Sequence, residues 1–467
     1  MTPRPRTLVD KLLDASTIRE EGGRTLLYVD RLIAADTATP AFGIVRSGGY
    51  TVRRPAQALL IADHYTPSTG PTLDHAADEQ TRSLIAGTQA TARSYGMRVL
   101  GLGDPLRGIQ HLVAGELAYA QPGIVVAAAD SHTSTQGALG ALPFSVGIDL
   151  AHVLATQCVW VHRPGGMRVQ LEGALPPNVT AKDVILHVIA QLGPAGASGV
   201  AVEFAGSFVR NLGVPGRVTL CNMAVEMGAR TTIIAPDQIT FDYLRGRPLA
   251  PQGAMWDRAV TFWRTLYSDP GAGFDREVSF DVSLVEPMVT WGNNTAAGVP
   301  IGGLVPDPAR EPDRAKREQL QAWIDYMGLQ PLAPMAGLVV DQVFIGSCTN
   351  GTLDDLRDAA RFVRGRRVAV PTLVVPGSGL VKAQAEMEGL ADVFVDAGAS
   401  WGESGCSMCS AMNGDSLAPG LRCVSTANRN HYGRQGPGSR THLASPAMAA
   451  AAAVAGRLVD VRALVVA

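Results

Sequence analysis

The feature that most constrains this chain is a rhythm. Short apolar runs, each closed by a turn rich in Gly, Ser or Asp, alternate with stretches of helical periodicity. Residues 124–129, 338–345, 373–375 and 393–395 read as buried strands, because runs this short and continuous suit a strand covered on both faces. Between them lie amphipathic helices. Thr180-Ala181-Lys182-Asp183 reads as a capping box with Asp in place of Glu. After it Ile185, Val188, Ile189 and Leu192 form one apolar face, and Gly193 stops the helix. Residues 352–364 repeat the device: Thr352 caps, Leu353, Leu356, Ala360 and Val363 form the stripe, and Gly365 ends it. The Ala-rich run 448–456 reads as a buried helix. An α/β fold follows from this alternation.

The chain is long for one core, at 467 residues. Residues 164–179 and 284–314 are richer in Pro, Gly and Asn and read as joints. They divide the chain into α/β domains at 1–165, 166–285 and 286–467. With 46% hydrophobic residues the chain can bury sizeable cores, which excludes a disordered protein. Its 40 Lys+Arg balance 42 Asp+Glu, so the basic excess of a nucleic-acid binder is absent and no nucleic acid is expected. No signal peptide is visible near the N-terminus, and no run approaches the roughly 18 apolar residues of a membrane span. A cytoplasmic protein without a membrane partner is expected, in which six cysteines are too few for a disulfide scaffold.

Ligands of open α/β sheets bind beyond the carboxyl ends of the strands, so polar residues placed there are the best site candidates. Four segments qualify: Asp130-Ser131-His132-Thr133, Gly346-Ser347-Cys348-Thr349-Asn350, Gly405-Cys406-Ser407-Met408-Cys409, and Asn428-Arg429-Asn430 with Arg434 beyond. Cys406 and Cys409 are spaced to share one metal centre, and Cys348 also sits in a turn after a strand. Three thiolates suit an iron–sulfur cubane with one iron left open. The same spacing also suits a zinc site completed by Cys423, a redox pair, or plain buried thiols. Cys158 and Cys221 read as core.

The flanking residues add a resemblance that runs along the whole chain. It is carried by Leu27-Tyr28-Val29-Asp30-Arg31, Asp63-His64, Gly108-Ile109-Gln110-His111, the Asp130 motif, Thr180-Ala181-Lys182-Asp183, Leu220 through Ala229, Val289-Thr290-Trp291-Gly292, Pro376-Gly377-Ser378-Gly379, the three cysteines, and Asn428 through Gly436. In these motifs the sequence resembles the aconitase superfamily, and within it the branch of isopropylmalate dehydratase large subunits. The resemblance implies three α/β/α domains around a cluster crevice. It implies a [4Fe-4S] cluster on Cys348, Cys406 and Cys409. It also implies a hydro-lyase that moves a hydroxyl within a small hydroxy acid by dehydration and rehydration. His111 matches the family's proton donor. Asp63, His64, Asp130 and His132 match the acid–imidazole pairs around it, and Asn222 and Glu226 a pair near the cluster water. Ser131, Arg429 and Arg434 match substrate-binding positions, and Asn428 a group at the cluster.

The resemblance also implies what the chain lacks. Single-chain relatives append a fourth, swivelling domain that carries the base; here the match leaves no room for it. A separate small subunit of about 200 residues, one domain's worth, is therefore expected. Some supporting positions drift. Residues 34–40 read Ala-Ala-Asp-Thr-Ala-Thr-Pro where relatives carry a His-Glu type pair and a Thr-Ser-Pro-Gln stretch. Gly402, Glu403, Ala151, His431 and Pro437 also depart from the usual residues. This drift suggests a specialised paralogue acting on another malate-type or aconitate-type acid. A cluster-sensing regulator is a further alternative. Retained His111, Asp130 and Arg429 favour catalysis.

Overall fold

The computed structural model describes residues 4–464. These form two compact units: residues 4–65, 78–174 and 195–282 make one, and residues 66–77, 175–194 and 283–464 the other.

The first unit holds two parallel sheets. The larger runs Arg98–Leu100, Ala58–Ile61, Arg31–Ala35, Val125–Ala128, Leu142–Ser145 across the sheet. In chain order its strands lie 3-2-1-4-5, so the winding reverses between Arg31–Ala35 and Val125–Ala128. Loops leaving such a switch point diverge and open a crevice at the carboxyl ends. The second sheet runs Thr231–Ile233, Val200–Ala205, Gly165–Glu172, Arg276–Asp281. The expected joint at 164–179 is thus corrected: it contains a central strand. Met167, Val169 and Leu171 alternate as buried residues there, and this period of two was masked by the flanking glycines and prolines. The two sheets share one unit because the helical segment Ser131–Leu139 packs on both strand Thr231–Ile233 and helix Val214–Met223. Gly137 makes this possible, since a Cβ there would lie 2.0 Å from the Thr232 carbonyl oxygen.

The second unit carries a five-stranded parallel sheet in the order Ser400–Trp401, Thr372–Val374, Gln342–Ile345, Arg422–Ser425, Arg440–Leu443. This too is 3-2-1-4-5, with its switch point between Gln342–Ile345 and Arg422–Ser425. Both expected capping boxes form, Thr180 with Asp183 and Thr352 with Asp355. Helix Pro446–Ala455 is buried from Pro446 through Ala453. The expected strand at 393–395 is a helix, Leu390–Asp396. Leu390 and Phe394, four apart, are its buried residues, while Val395 is exposed. A three-residue apolar run is equally compatible with one buried helical turn. Among the described residues no helix is long and apolar enough to cross a membrane.

One buried histidine of this unit makes a pH test. The ring nitrogen Nδ1 of His442 lies 2.6 Å from the Thr290 carbonyl oxygen, and Arg422 donates to Nε2 at 2.7 Å. A carbonyl only accepts and a guanidinium only donates, so the ring is held neutral with its proton on Nδ1. Burial and the Arg422 charge push its pKa down to about 3. As pH falls below about 6.5 the unfolded chain takes up a proton that the native state refuses, so stability is lost progressively down to about pH 3. Over that span the loss amounts to up to about 5 kcal/mol at ~1.4 kcal/mol per unit. Urea midpoints measured from pH 7 to pH 4 should fall less steeply in His442→Gln than in the wild type; parallel slopes would refute this assignment.

Candidate active site

In the first unit the carboxyl ends of the central strands present acids and imidazoles. Asp36 follows Arg31–Ala35, Asp63-His64 follow Ala58–Ile61, and Asp130 follows Val125–Ala128. Asp130 is the hub. Its side chain caps the next segment by accepting from the His132 amide at 2.6 Å. His111 Nε2 lies 3.0 Å from Asp130 Oδ1, and His64 Nε2 lies 3.2 Å from Oδ2. Burial alone would push the Asp130 carboxyl up, but the His111 charge and hydrogen bonds from His111, His132 and His64 hold it well below its ordinary range. It is a carboxylate. His64 is its cationic complement: burial opposes its charge, yet Asp63 and Asp130, one at each ring nitrogen, raise its pKa well above the ordinary value.

The same network places His111. Asp63 Oδ2 accepts from the amide of Gln110, the first residue of helix Gln110–Glu116, at 3.1 Å. Gln136 donates to the His111 carbonyl at 2.9 Å. The ring itself is 4% exposed, on a backbone held from both sides. Glu226 Oε1 lies 2.9 Å from His132 Nε2, and Asn222 donates to Thr135 Oγ1 at 2.8 Å. Asn222 and Glu226, spaced by one helical turn, therefore both face the segment that carries His132. Ser131 Oγ lies 3.3 Å from His132 Nδ1.

In the second unit the strand ends present thiols. Cys348 lies in the turn after Gln342–Ile345, Cys406 and Cys409 beyond Ser400–Trp401, and Asn428 beyond Arg422–Ser425. All three cysteines are buried. Asn428 Nδ2 donates to Cys348 Sγ at 3.3 Å, and its Oδ1 lies 3.4 Å from Cys409 Sγ. Ser347 Oγ lies 3.2 Å from Cys409 Sγ and 4.0 Å from Cys348 Sγ. Ser347 and Ser407 adopt positive φ, 84° and 47°, which few non-glycine residues do. Strained turns that bring the buried Cys348 and Cys409 sulfurs to one amide side chain, with buried Cys406 three residues before Cys409, fit a soft metal–sulfur centre. Cys423 is no fourth ligand. It lies within strand Arg422–Ser425, its thiol is 3.3 Å from the Val424 carbonyl oxygen, and burial raises its pKa far above the usual thiol range. Arg429 and Arg434 are half-buried on the loop that follows Asn428.

Comparison with known proteins gives the family. The profile of the aconitase family (aconitate hydratase) matches residues 10–456. This chain belongs to the aconitase family. It is 48% identical over 465 residues to the 3-isopropylmalate dehydratase large subunit of Anaeromyxobacter dehalogenans, covering 98% of this chain and 97% of that one. Among solved structures, aconitase X of Thermococcus kodakaraensis in its holo-form aligns over 91% of this chain and 89% of that chain, at 12% identity and a TM-score of 0.44. Aconitase-family membership implies an iron–sulfur centre, and Cys348, Cys406 and Cys409 fit one.

Two residues acquire importance only in the structure. Asp36 is 1% exposed and accepts from the backbone amides of His64 (3.1 Å) and Tyr65 (2.8 Å). Burial and the Asp63 charge raise its pKa to about 7, against the pull of His64. The only sequence signal for it was an acid at the end of an apolar strand, within the segment that departs from the family. The other is Lys182, wholly buried near the thiols.

Proposed function

We propose that this chain is the large, cluster-holding subunit of a 3-isopropylmalate dehydratase, a hydro-lyase that isomerises a hydroxy acid by removing and re-adding water. The observation that carries this reading is the 48% identity to a large subunit of that enzyme, spread over 98% of this chain. A [4Fe-4S] cluster on Cys348, Cys406 and Cys409, with one iron free of protein ligands, supplies when bound a Lewis acid toward the substrate's hydroxyl and carboxylate.

The chain's own residues supply the rest. His111 delivers a proton to the departing hydroxyl, held for that task by the Asp130 carboxylate. Asp63 and His64 keep Asp130 and the His111 helix in place. Arg429 and Arg434 bind the substrate carboxylates, for which the guanidinium fork is suited. Ser131, Asn222, Glu226 and His132 order the polar surroundings. A small subunit of about 200 residues, one domain in size, completes the enzyme and carries the base.

A related substrate is the second reading. At residues 34–40 the segment spends a buried acid, Asp36, on the amides of His64 and Tyr65. One experiment separates the two readings. The chain is co-expressed with a small subunit, reconstituted with iron and sulfide under anaerobic conditions, and assayed on isopropylmalate, citrate and a series of alkylmalates. The highest kcat/KM on isopropylmalate supports the first reading. A preference of tenfold or more for another acid supports the second, and no turnover of any overturns both.

A further inference from the structure

Lysine is rare in this chain, and Lys182 is placed where lysine is most costly. It is 0% exposed. It stands in the first turn of helix Ala181–Leu192, where the helix dipole disfavours a cation. Among the described residues no carboxylate lies within ion-pair distance of its ammonium. Instead Nζ donates to the carbonyl oxygens of Ala427 (2.7 Å) and Thr426 (2.9 Å) and to Thr349 Oγ1 (3.4 Å). A buried, unpaired ammonium costs several kcal/mol, and apolar replacement of such a charge is often neutral or stabilising. Its location needs a reason other than stability.

The partners give it. Thr349 follows Cys348, and Ala427 precedes Asn428, whose amide spans Cys348 and Cys409. Thr349 Oγ1 itself donates to the Thr426 carbonyl at 2.9 Å. Lys182 therefore ties together the two strand-end turns that carry Cys348 and Asn428. The acidic groups that favour its charge include Cys409, Asp355 and Cys348. Burial lowers its pKa to about 8, which leaves it mostly charged at neutral pH.

We infer that Lys182 is a positioning residue for the cluster: its buried ammonium offsets the charge of the Cys348 and Cys409 thiolates while its three hydrogen bonds brace the turns that carry Cys348 and Asn428. This rests on the reading that the three cysteines hold an iron–sulfur cluster. An added electron meets less repulsion near a fixed cation, so removing the charge makes the bound cluster harder to reduce.

The test separates charge from brace. Lys182→Arg keeps the charge, Lys182→Gln keeps donors without charge, and Lys182→Met removes both. Each variant is reconstituted anaerobically, and its cluster is titrated with dithionite and followed by electron paramagnetic resonance. Lys182→Gln and Lys182→Met should be about tenfold harder to reduce, a potential about 59 mV lower for one electron, while Lys182→Arg stays near the wild type. Thermal melts of apo and loaded protein form the second measurement. Loss of the charge should lower Tm more in the loaded than in the apo form; Lys182→Gln is the variant read if Lys182→Met does not fold. Unchanged potentials in both neutral variants, or equal Tm losses with and without cluster, would overturn the inference. Wild-type protein that binds no iron would instead overturn the reading beneath it.

Discussion

Alanine at Cys348, Cys406 or Cys409 is expected to yield a folded protein that retains no iron–sulfur cluster and no measurable hydro-lyase activity. Each sulfur is buried in a turn after a strand, not in the centre of a core sheet, so removal of one small side chain costs on the order of 1 kcal/mol. The chemistry suffers far more. A Lewis acid contributes several kcal/mol of charge stabilisation in the transition state, and each ~1.4 kcal/mol is tenfold in rate, so the fall should reach at least about 10³-fold. Iron and acid-labile sulfide are counted beside activity. Cys423→Ala and Cys221→Ala are the controls. The Cys221 thiol is packed inside helix Val214–Met223, with burial raising its pKa to about 12, and both variants should keep their iron. A Cys409→Ala protein with wild-type iron content would overturn the ligand assignment. Stoichiometric zinc in the wild type would do the same.

Much of this was legible in the sequence, and the reason is topological. Two sheets share the strand order 3-2-1-4-5, so in each the first and fourth strands flank the switch point. Residues just past those strands, such as Asp130, Cys348 and Asn428, can be picked out by finding an apolar run and reading beyond it. Capping boxes are equally local: Thr180 with Asp183 and Thr352 with Asp355 need only three residues of spacing. What failed was length-dependent. The run 393–395 is too short for its period to distinguish strand from helix, and only Phe394 packing beside Leu390 decides it. The strand Gly165–Glu172 was hidden because its glycines begin the strand and were read as a linker. The roles of Asp36 and Lys182 were out of reach for a different reason. A buried acid and a buried base are defined by what surrounds them in space, and their partners lie 28 residues away for His64 and 245 for Ala427. Sequence patterns carry neither burial nor such long-range pairing.

Asp130→Asn is expected to lower kcat by about 10²- to 10³-fold in a protein that remains folded, since positioned acid–base catalysis is worth roughly 10²–10⁴. The fold survives because asparagine caps a helical segment about as well as aspartate and can still accept from the His132 amide. The chemistry does not. One Asp130 oxygen lies 3.0 Å from His111 Nε2 and the other 3.2 Å from His64 Nε2. A carboxamide has one acceptor oxygen and one donor nitrogen, so one imidazole must face an N–H group. The negative charge that helps to keep His64 cationic is lost with it. KM should move less than kcat, because Arg429 and Arg434, not Asp130, are assigned to the substrate carboxylates. The pH profile gives the sharper readout. Asp63 and Asp130 raise the pKa of His64 against its burial, so loss of the Asp130 charge lowers it. The alkaline limb of kcat should then shift to lower pH in Asp130→Asn. A variant with lower kcat but an unmoved alkaline limb would show that Asp130 only shapes its loop and does not hold the charge on His64.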